Sequence, residues 1–441
     1  MEMKAKNRYF IQTFGCQMNV NDSEKVAGLL ESRGFEAAAS PGDADFVFLN
    51  TCAVREKASV KFKQSLVRLG RMKAERPDVR IGVGGCVAQL EGEALLAPSP
   101  QVDVLVGTHN LRRIPELLAQ AAASGQVAID LDRRADAFQV PDAVTAHANP
   151  VRAYVTAMEG CNLVCSFCVV PRTRGPEVNR PVNDIVAEVE AVVARGFTEV
   201  MLLGQTVNAY RSDGSDFADL LTRVDAVPGL RRLRFTTSHP SHATARMAEA
   251  LRDLEQVCPY LHLPVQSGSD RVLGSMRRGY TRGHYLDTVA LLRERVPGIA
   301  LSSDVIVGYP GETEAEFDET MSLLETVGFD GLFSFSYSPR PGTTALRLPD
   351  DVAEAEKKRR LTVLNGHQQQ WQRRRNAEFV GCFDEVLVET IDGGGRVSGR
   401  TPHFRIVHFD GPGTLLGHLA RVEITGAGSN SFRGRLAQPT H

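Results

Sequence analysis

The chain has 441 residues, too many for one ordinary domain, and 42% hydrophobic with 24% charged residues is the balance of a soluble globular protein. A formal net charge of −2 gives no bulk signal for nucleic-acid binding. No apolar run approaches the roughly 20 residues of a membrane span, and the first residues, MEMKAKN, lack the apolar segment of a secretory signal, so a cytoplasmic protein is expected.

The first part alternates strand and helix. Strands are expected at 9–13, 45–50, 80–83 and 103–107, helices at 23–33 and 56–75, and this alternation implies a doubly wound parallel α/β domain over 1–135. The pattern then fades, and 136–150 reads as a linker. From 151 to 376 six strand signals (152–158, 199–203, 233–237, 261–265, 300–307, 331–336) are separated by helices at 182–195, 243–255, 282–295 and 314–326. Six such units suggest a partial (β/α)6 barrel, with chemistry at the C-terminal strand ends. A basic helix, 352–375, follows. Residues 377–441 read as a small all-β barrel with strands at 385–391, 395–399, 405–409 and 419–424.

Eight cysteines occur, and in a large cytosolic chain they point to metal ligation or reactive thiols rather than disulfides. Cys161, Cys165 and Cys168 form C-x3-C-x2-C directly after the first barrel strand. Three thiolates can hold three irons of a [4Fe–4S] cluster and leave the fourth open. Structural zinc prefers four ligands, and no nearby fourth Cys or His completes such a set. Cys16, Cys52 and Cys86 each follow an expected strand of the first domain. Strand ends of a parallel sheet lie on one edge, so these three can converge on a second cluster. The glycine-rich 82–87 hints at a dinucleotide loop, but its last glycine is missing and Cys86 intrudes.

The triad spacing and partial barrel resemble the radical S-adenosylmethionine (SAM) superfamily. The segments TFGCQMNVNDSE (13–24), NTCAVR (50–55), GGC (84–86), CVVPRTRG (168–175), HLPVQSGS (262–269), RGYT (278–281), SDVIVGYPGET (303–313) and YSPRPGT (337–343) resemble the methylthiotransferase family within it, across essentially the whole chain. Many members have Tyr where this chain has Arg172. The FGCQMN string favours the branch acting on isopentenyl-adenosine in tRNA. The resemblance implies two [4Fe–4S] clusters, SAM, C2–H abstraction by a 5′-deoxyadenosyl radical, and delivery of a methylthio group to the adenine. It further implies a tRNA anticodon stem-loop as substrate, a flavodoxin- or ferredoxin-type reductant, a sulfur donor, and a TRAM-like C-terminal RNA module. A monomer is expected. Alternatives are a methylthiotransferase acting on a ribosomal-protein aspartate or on threonylcarbamoyl-adenosine tRNA, a two-cluster electron carrier, and a zinc-containing RNA-binding protein.

Gln205 and Asn208 after the second barrel strand, Gln266 after the fourth, and Ser302 and Asp304 on the fifth are candidate SAM contacts, with surface capping as the plainer reading of the first two. Arg172, Arg174 and Arg180 flank the cysteine loop and read either as tRNA contacts or as a solvated basic rim. Arg400, Arg405, Arg433 and the basic helix are candidates for phosphate contact. Glu159, Cys258 and Cys382 read as structural or packing residues. Trp371 and Phe404 can stack on a flipped base, though packing is the plainer role.

Overall fold

The computed structural model describes residues 7–53, 56–133 and 145–437. Most of the expected linker, and Val54 and Arg55 of the second cysteine segment, lie outside the described residues.

The first unit is a six-stranded parallel sheet in the order Glu36–Ala37, Arg8–Phe14, Phe46–Thr51, Arg80–Gly85, Val104–Val106, Ala128–Asp130. Every residue of Phe46–Thr51 is buried, as for a strand covered on both faces. Helices Gln17–Ser32 and Ile114–Ser124 bring Val26, Leu30 and Leu117 onto Phe46, Phe48 and Val104. On the other face, helix Glu56–Glu75 brings Phe62, Leu66 and Leu69 onto Val47, Leu49 and Ile81. The strand glycines serve this packing, not a phosphate loop: a Cβ on Gly84 would stand 2.6 Å from the Phe48 ring. The direction of winding reverses between Arg8–Phe14 and Phe46–Thr51. Their C-terminal ends are therefore the switch point at which open α/β sheets bind ligands.

Helix Gln17–Ser32 begins six residues before the expected start at 23. Its first turns are rich in Asn, Asp and Ser, which in isolation favour turns over helix. Tertiary partners override that preference. The Asn19 amide donates to Asn50 Oδ1 and Thr51 O (3.2 Å each), and Asn21 and Asp22 engage the second unit.

That second unit has six parallel strands. Arg152–Thr156, Glu199–Leu203 and Arg232–Phe235 form one sheet, and Tyr260–His262, Ala300–Val307 and Gly331–Ser336 another. A bridge from Leu233 to Val257 joins them into the expected partial barrel. Alternation sends Ala153, Val155, Val200, Leu202, Leu233 and Leu261 into the outer apolar core. Arg152, Glu199, Arg234, Ser302 and Asp304 occupy the other face. Asn21 covers the free edge of the first strand: its amide donates to Tyr154 O (3.1 Å), and Thr156 Oγ1 donates to Asn21 Oδ1 (2.9 Å). The first unit thereby docks on the barrel.

After helix Glu354–Ala377 comes a closed five-stranded barrel of Phe383–Ile391, Arg396–Arg400, Ile406–Asp410, Ser431–Leu436 and Leu419–Ala427. The sequence reading lacked Ser431–Leu436. Its inward position 434 is glycine, because a Cβ there would strike Val422 at 2.3 Å, and this hides the alternation.

Several charged residues have different roles from those expected. Arg405 pairs with Asp330 of the partial barrel (2.6 Å) and stacks on Phe379; Arg400 pairs with Glu389. Arg405 is thus spent on docking the C-terminal barrel and Arg400 on a pair within it, while Arg433 is exposed. Glu199 is fully buried between Arg152 and Arg234; Arg152 reaches Glu389 (2.8 Å), and Arg234 donates to Thr401 O and Pro402 O (2.8 Å each). In the basic helix Lys357 and Arg360 are buried in ion pairs with Asp350 and Glu312, leaving Lys358, Arg373 and Arg374 exposed. Cys258 is buried, as a packing residue should be, but Cys382 is exposed at the foot of the barrel. Trp371 packs over Gly328.

Candidate active site

The C-x3-C-x2-C loop is tied at its base. Met158–Glu159 pairs antiparallel with Val178–Asn179, and Cys161 N donates to Gly175 O at 3.2 Å. Gly160 makes this possible: its φ is +76°, and a Cβ would stand 2.0 Å from Pro176 O. Within the loop each sulfur has a polar neighbour. Cys161 Sγ lies 3.3 Å from Thr206 Oγ1, Arg278 Nη1 donates to Cys165 Sγ (3.4 Å), and Val170 N donates to Cys168 Sγ (3.5 Å). Arg278 is itself fixed by Pro264 O (3.1 Å) and Tyr280 Oη (3.0 Å). Burial pushes the Cys161 thiol up and that of Cys168 up to about 12. Such sulfurs become thiolates only where a cation takes the place of the proton.

The other three cysteines are aligned by sheet register. Phe14 pairs with Thr51 and Thr51 with Gly85, so Cys16, Cys52 and Cys86 fall two, one and one residues beyond one line across the sheet. Cys16 caps helix Gln17–Ser32, and Cys86 opens helix Cys86–Glu91. A hydrogen bond with Cys52, aided by the Arg174 charge and opposed by burial, brings the Cys16 thiol down to about 6. Burial raises Cys86, against the pull of Arg174.

One cavity of about 340 Å3 joins the two sets. Cys16, Cys52, Cys161, Cys165 and Cys168 line it, together with Gln205, Gln266 and Asp304. Cys86 stands behind them, buried. Gln205 Oε1 accepts from Gly160 N (2.5 Å), which ties the second strand end to the cysteine loop. Gln266 holds a left-handed backbone (φ +72°), a strain characteristic of functional segments. Two candidates stand off the cavity wall. The Asn208 amide donates to His239 O (2.9 Å) and accepts from His239 N (2.8 Å), so both its polar ends are engaged in positioning that loop. Ser302 Oγ is held by Tyr260 Oη (2.6 Å) and His262 Nδ1 (2.9 Å), two side chains that do line the cavity.

The charged residues around the loop are largely internal. Arg174 is buried, with Nη2 2.5 Å from Asp22 and Nη1 3.4 Å from Glu159; Arg180 pairs with Glu188 and donates to Thr156 O (2.8 Å). Only Arg172 of the three is exposed. Glu159 is the buried partner its structural reading requires.

Sequence reasoning missed further wall residues: Thr206, Arg234, Ser238, His239, Tyr260, His262, Arg278 and Phe333; Phe404, read there as a stacking or packing residue, also lines the wall. Burial, then Arg278 and His242, push His239 down to about 3, so it is neutral near pH 7. Phe404 enters from the C-terminal barrel in a left-handed conformation (φ +67°). It stacks on Tyr260 (4.8 Å, 23°) with Arg234 and Arg400 each 4.9 Å from its centroid. The motifs at 262–269 and 278–281 contained His262 and Arg278; nothing in the sequence reveals that Arg234 or Phe404 reaches this wall.

Six parallel strands, a three-cysteine loop after the first, and a cavity at their C-terminal ends define a radical SAM enzyme. The Radical SAM superfamily model matches residues 155–324, and that of the uncharacterized protein family UPF0004 matches 8–107. Among solved structures, the radical S-adenosylmethionine methyltransferase TsrM from Kitasatospora setae superposes with TM-score 0.55 at 16% identity over 77% of each chain. The cobalamin-dependent S-adenosylmethionine radical enzyme OxsB gives 0.55 at 12% identity, over 77% of this chain and 55% of the other; both likenesses are of fold alone. In sequence, tRNA-2-methylthio-N(6)-dimethylallyladenosine synthase of Methylococcus capsulatus is 46% identical over 98% of this chain and 96% of its own, and that of Bordetella petrii is 46% identical over 98% and 92%. The chain belongs to the family of tRNA-2-methylthio-N(6)-dimethylallyladenosine synthases.

Proposed function

We propose that the chain converts N6-isopentenyladenosine at position 37 of tRNA to its 2-methylthio derivative. Cys161, Cys165 and Cys168 hold the [4Fe–4S] cluster that engages SAM, and Cys16, Cys52 and Cys86 hold a second cluster that serves sulfur delivery. The carrying observation is that five of these six sulfurs open on one cavity with the SAM candidates. The donor sets fit: each offers three thiols, one set in a single loop and the other brought to one sheet edge by the strand register.

The C2–H bond of a purine is neither acidic nor displaceable, so proton transfer cannot activate it. A [4Fe–4S] cluster held by Cys161, Cys165 and Cys168 would supply the electron for reductive cleavage of SAM to methionine and a 5′-deoxyadenosyl radical. The chain's own residues do the rest. Gly160 and Gln205 fix the loop against the second strand. Gln205, Gln266 and Asp304 line the cavity in which SAM would bind, while Asn208 and Ser302 position His239, Tyr260 and His262. Met201, Phe335 and Phe404 give the cavity wall its apolar surface. Domain limits of 1–135, 151–376 and 377–441, a TRAM-like RNA role for the last, a cytoplasmic monomer, a flavodoxin- or ferredoxin-type reductant and a separate sulfur donor belong to the same reading. Among the described residues no helix is long and apolar enough to cross a membrane.

The test is incubation of reconstituted, reduced protein with SAM and isopentenylated tRNA, followed by nucleoside mass spectrometry. The 2-methylthio nucleoside is the expected product. SAM cleavage to 5′-deoxyadenosine without that nucleoside, but with methylthio incorporation into threonylcarbamoyl-adenosine tRNA or a ribosomal protein, would reassign the substrate.

A further inference from the structure

The segment that leaves the cysteine loop is held by the first unit, bond by bond. Val170–Thr173 forms a single helical turn just after Cys168. The last carbonyls of a helix have no partners within it. From Arg172 on, the first unit supplies them. Arg133 Nη2 donates to Arg172 O (2.8 Å), and Thr108 Oγ1 donates to Thr173 O (2.6 Å). His109 Nε2 donates to Arg174 O (3.0 Å); a carbonyl only accepts, so this nitrogen carries the ring proton. The next carbonyl, Gly175 O, accepts from Cys161 N (3.2 Å) and closes the cysteine loop. Successive carbonyls thus lead from the first unit to the first cysteine of the triad.

Packing reinforces this grip. Val169 is buried in the apolar core of the first unit, with Cys86, Val87 and Ala88. The His109 ring lies against Gly175, where φ is +77° and a Cβ would stand 3.1 Å from His109 Cε1. The Arg174 guanidinium reaches Asp22 of helix Gln17–Ser32 (2.5 Å). Thr108 and His109 stand just past strand Val104–Val106, which runs beside the strand that leads to Cys86. Thr108, His109, Thr173 and Arg174 are all buried. A carbonyl deprived of its donor there stays unsatisfied away from water, which is the costly way to lose a hydrogen bond.

We infer that the first domain positions the 161–168 cysteine loop through segment 169–175, with Thr108 and His109 as the positioning residues. The inference rests on the reading that Cys161, Cys165 and Cys168 hold the cluster that engages SAM. It gives the first domain a task beyond its own three cysteines. Without the grip, the loop keeps its ligands but loses its fixed placement against the cavity wall.

The test uses full-length, reconstituted protein. Thr108→Val removes the hydroxyl at nearly constant shape, and Thr108→Ser keeps it. His109→Leu removes the N–H, and His109→Gln keeps one near the same place. Gln101→Met breaks a comparable bond, to Leu66 O (2.9 Å), wholly within the first unit and controls for general loss of stability. Amide hydrogen exchange over 160–175 should rise about tenfold in Thr108→Val and His109→Leu, the scale of one buried carbonyl left without its donor. KM for SAM in 5′-deoxyadenosine formation should rise with it, and kcat should change less. Thr108→Ser and His109→Gln should restore most of both, while Gln101→Met lowers Tm and moves neither. Iron-loaded Thr108→Val and His109→Leu proteins with wild-type exchange and KM overturn the inference. Equal losses in Thr108→Ser and Thr108→Val overturn it too, as does an equal change in Gln101→Met. If wild-type protein keeps its full iron content when Cys161, Cys165 and Cys168 are replaced by alanine, the cluster reading itself falls, and the inference with it.

Discussion

Glu199→Gln tests how the C-terminal barrel is held beneath the cavity. The Glu199 carboxylate is fully buried and shared by Arg152 and Arg234. Burial pushes its pKa up, but the two guanidiniums outweigh it and bring it from 4.5 down to about 2. A shift of that size corresponds to about 3 kcal/mol. This agrees with the ~3–5 kcal/mol lost when one partner of a buried pair is removed. The folded value is the lower one, so the contribution is complete above pH 4.5 and fades as the pH falls toward 2. Because Arg234 also holds Thr401 O and Pro402 O, freeing it loosens the C-terminal barrel. Urea unfolding at pH 7 should show a loss of about 3 kcal/mol, and limited proteolysis should cut faster between Ala377 and Phe383. The gap from wild type should narrow in acid. A variant within ~1 kcal/mol of wild type at pH 7, or a gap that does not change down to pH 3, would refute the reasoning.

Gly160→Ala meets a backbone oxygen as well as a left-handed φ, so it should cost more than the ~1–2 kcal/mol of the conformation alone and should lower reconstituted iron by about half. Gly196→Ala, with φ +97° and nothing within 4 Å, should lose stability but keep its iron; equal iron loss in both would contradict the assigned role of Gly160. With the Cys168 thiol near 12, loading must release a proton, so iron uptake should weaken from pH 8 to pH 6 and proton release should accompany it; pH-independent uptake would argue against thiolate ligation. Phe404→Gly relieves its left-handed backbone and should be about 1 kcal/mol more stable than Phe404→Ala by thermal unfolding, while both weaken methylthio transfer by opening the cavity floor.

Much of the architecture was legible because the periodic signals were strong. Glu56–Glu75, Glu199–Leu203, Ala300–Val307 and Gly331–Ser336 fall where alternation and helical period placed them. The cysteine sets were legible because parallel strands end on one edge, which turns three distant positions into neighbours. Pairing choices were not legible. Nothing local tells Arg174, buried between two domains, from Arg172, exposed two residues earlier, since each choice depends on partners far along the chain. The same applies to Arg400 and Arg405, which composition offers to RNA and the fold spends on Glu389 within the C-terminal barrel and on Asp330 across its junction. Asn208 follows the second strand and Ser302 lies on the fifth, as the sequence reading placed them, but their hydrogen-bond capacity is used within the protein. Segment 17–22 was misread because its helix depends on Asn19, Asn21 and Asp22 finding partners outside it.

The central claim is two separate clusters facing one cavity, and counting iron and sulfide after anaerobic reconstitution tests it most directly. Wild type should carry about eight irons, with about four left in either triple-alanine variant, Cys161/Cys165/Cys168 or Cys16/Cys52/Cys86. About four irons in wild type, falling to none when Cys161, Cys165 and Cys168 are replaced and unchanged when Cys16, Cys52 and Cys86 are, would contradict it.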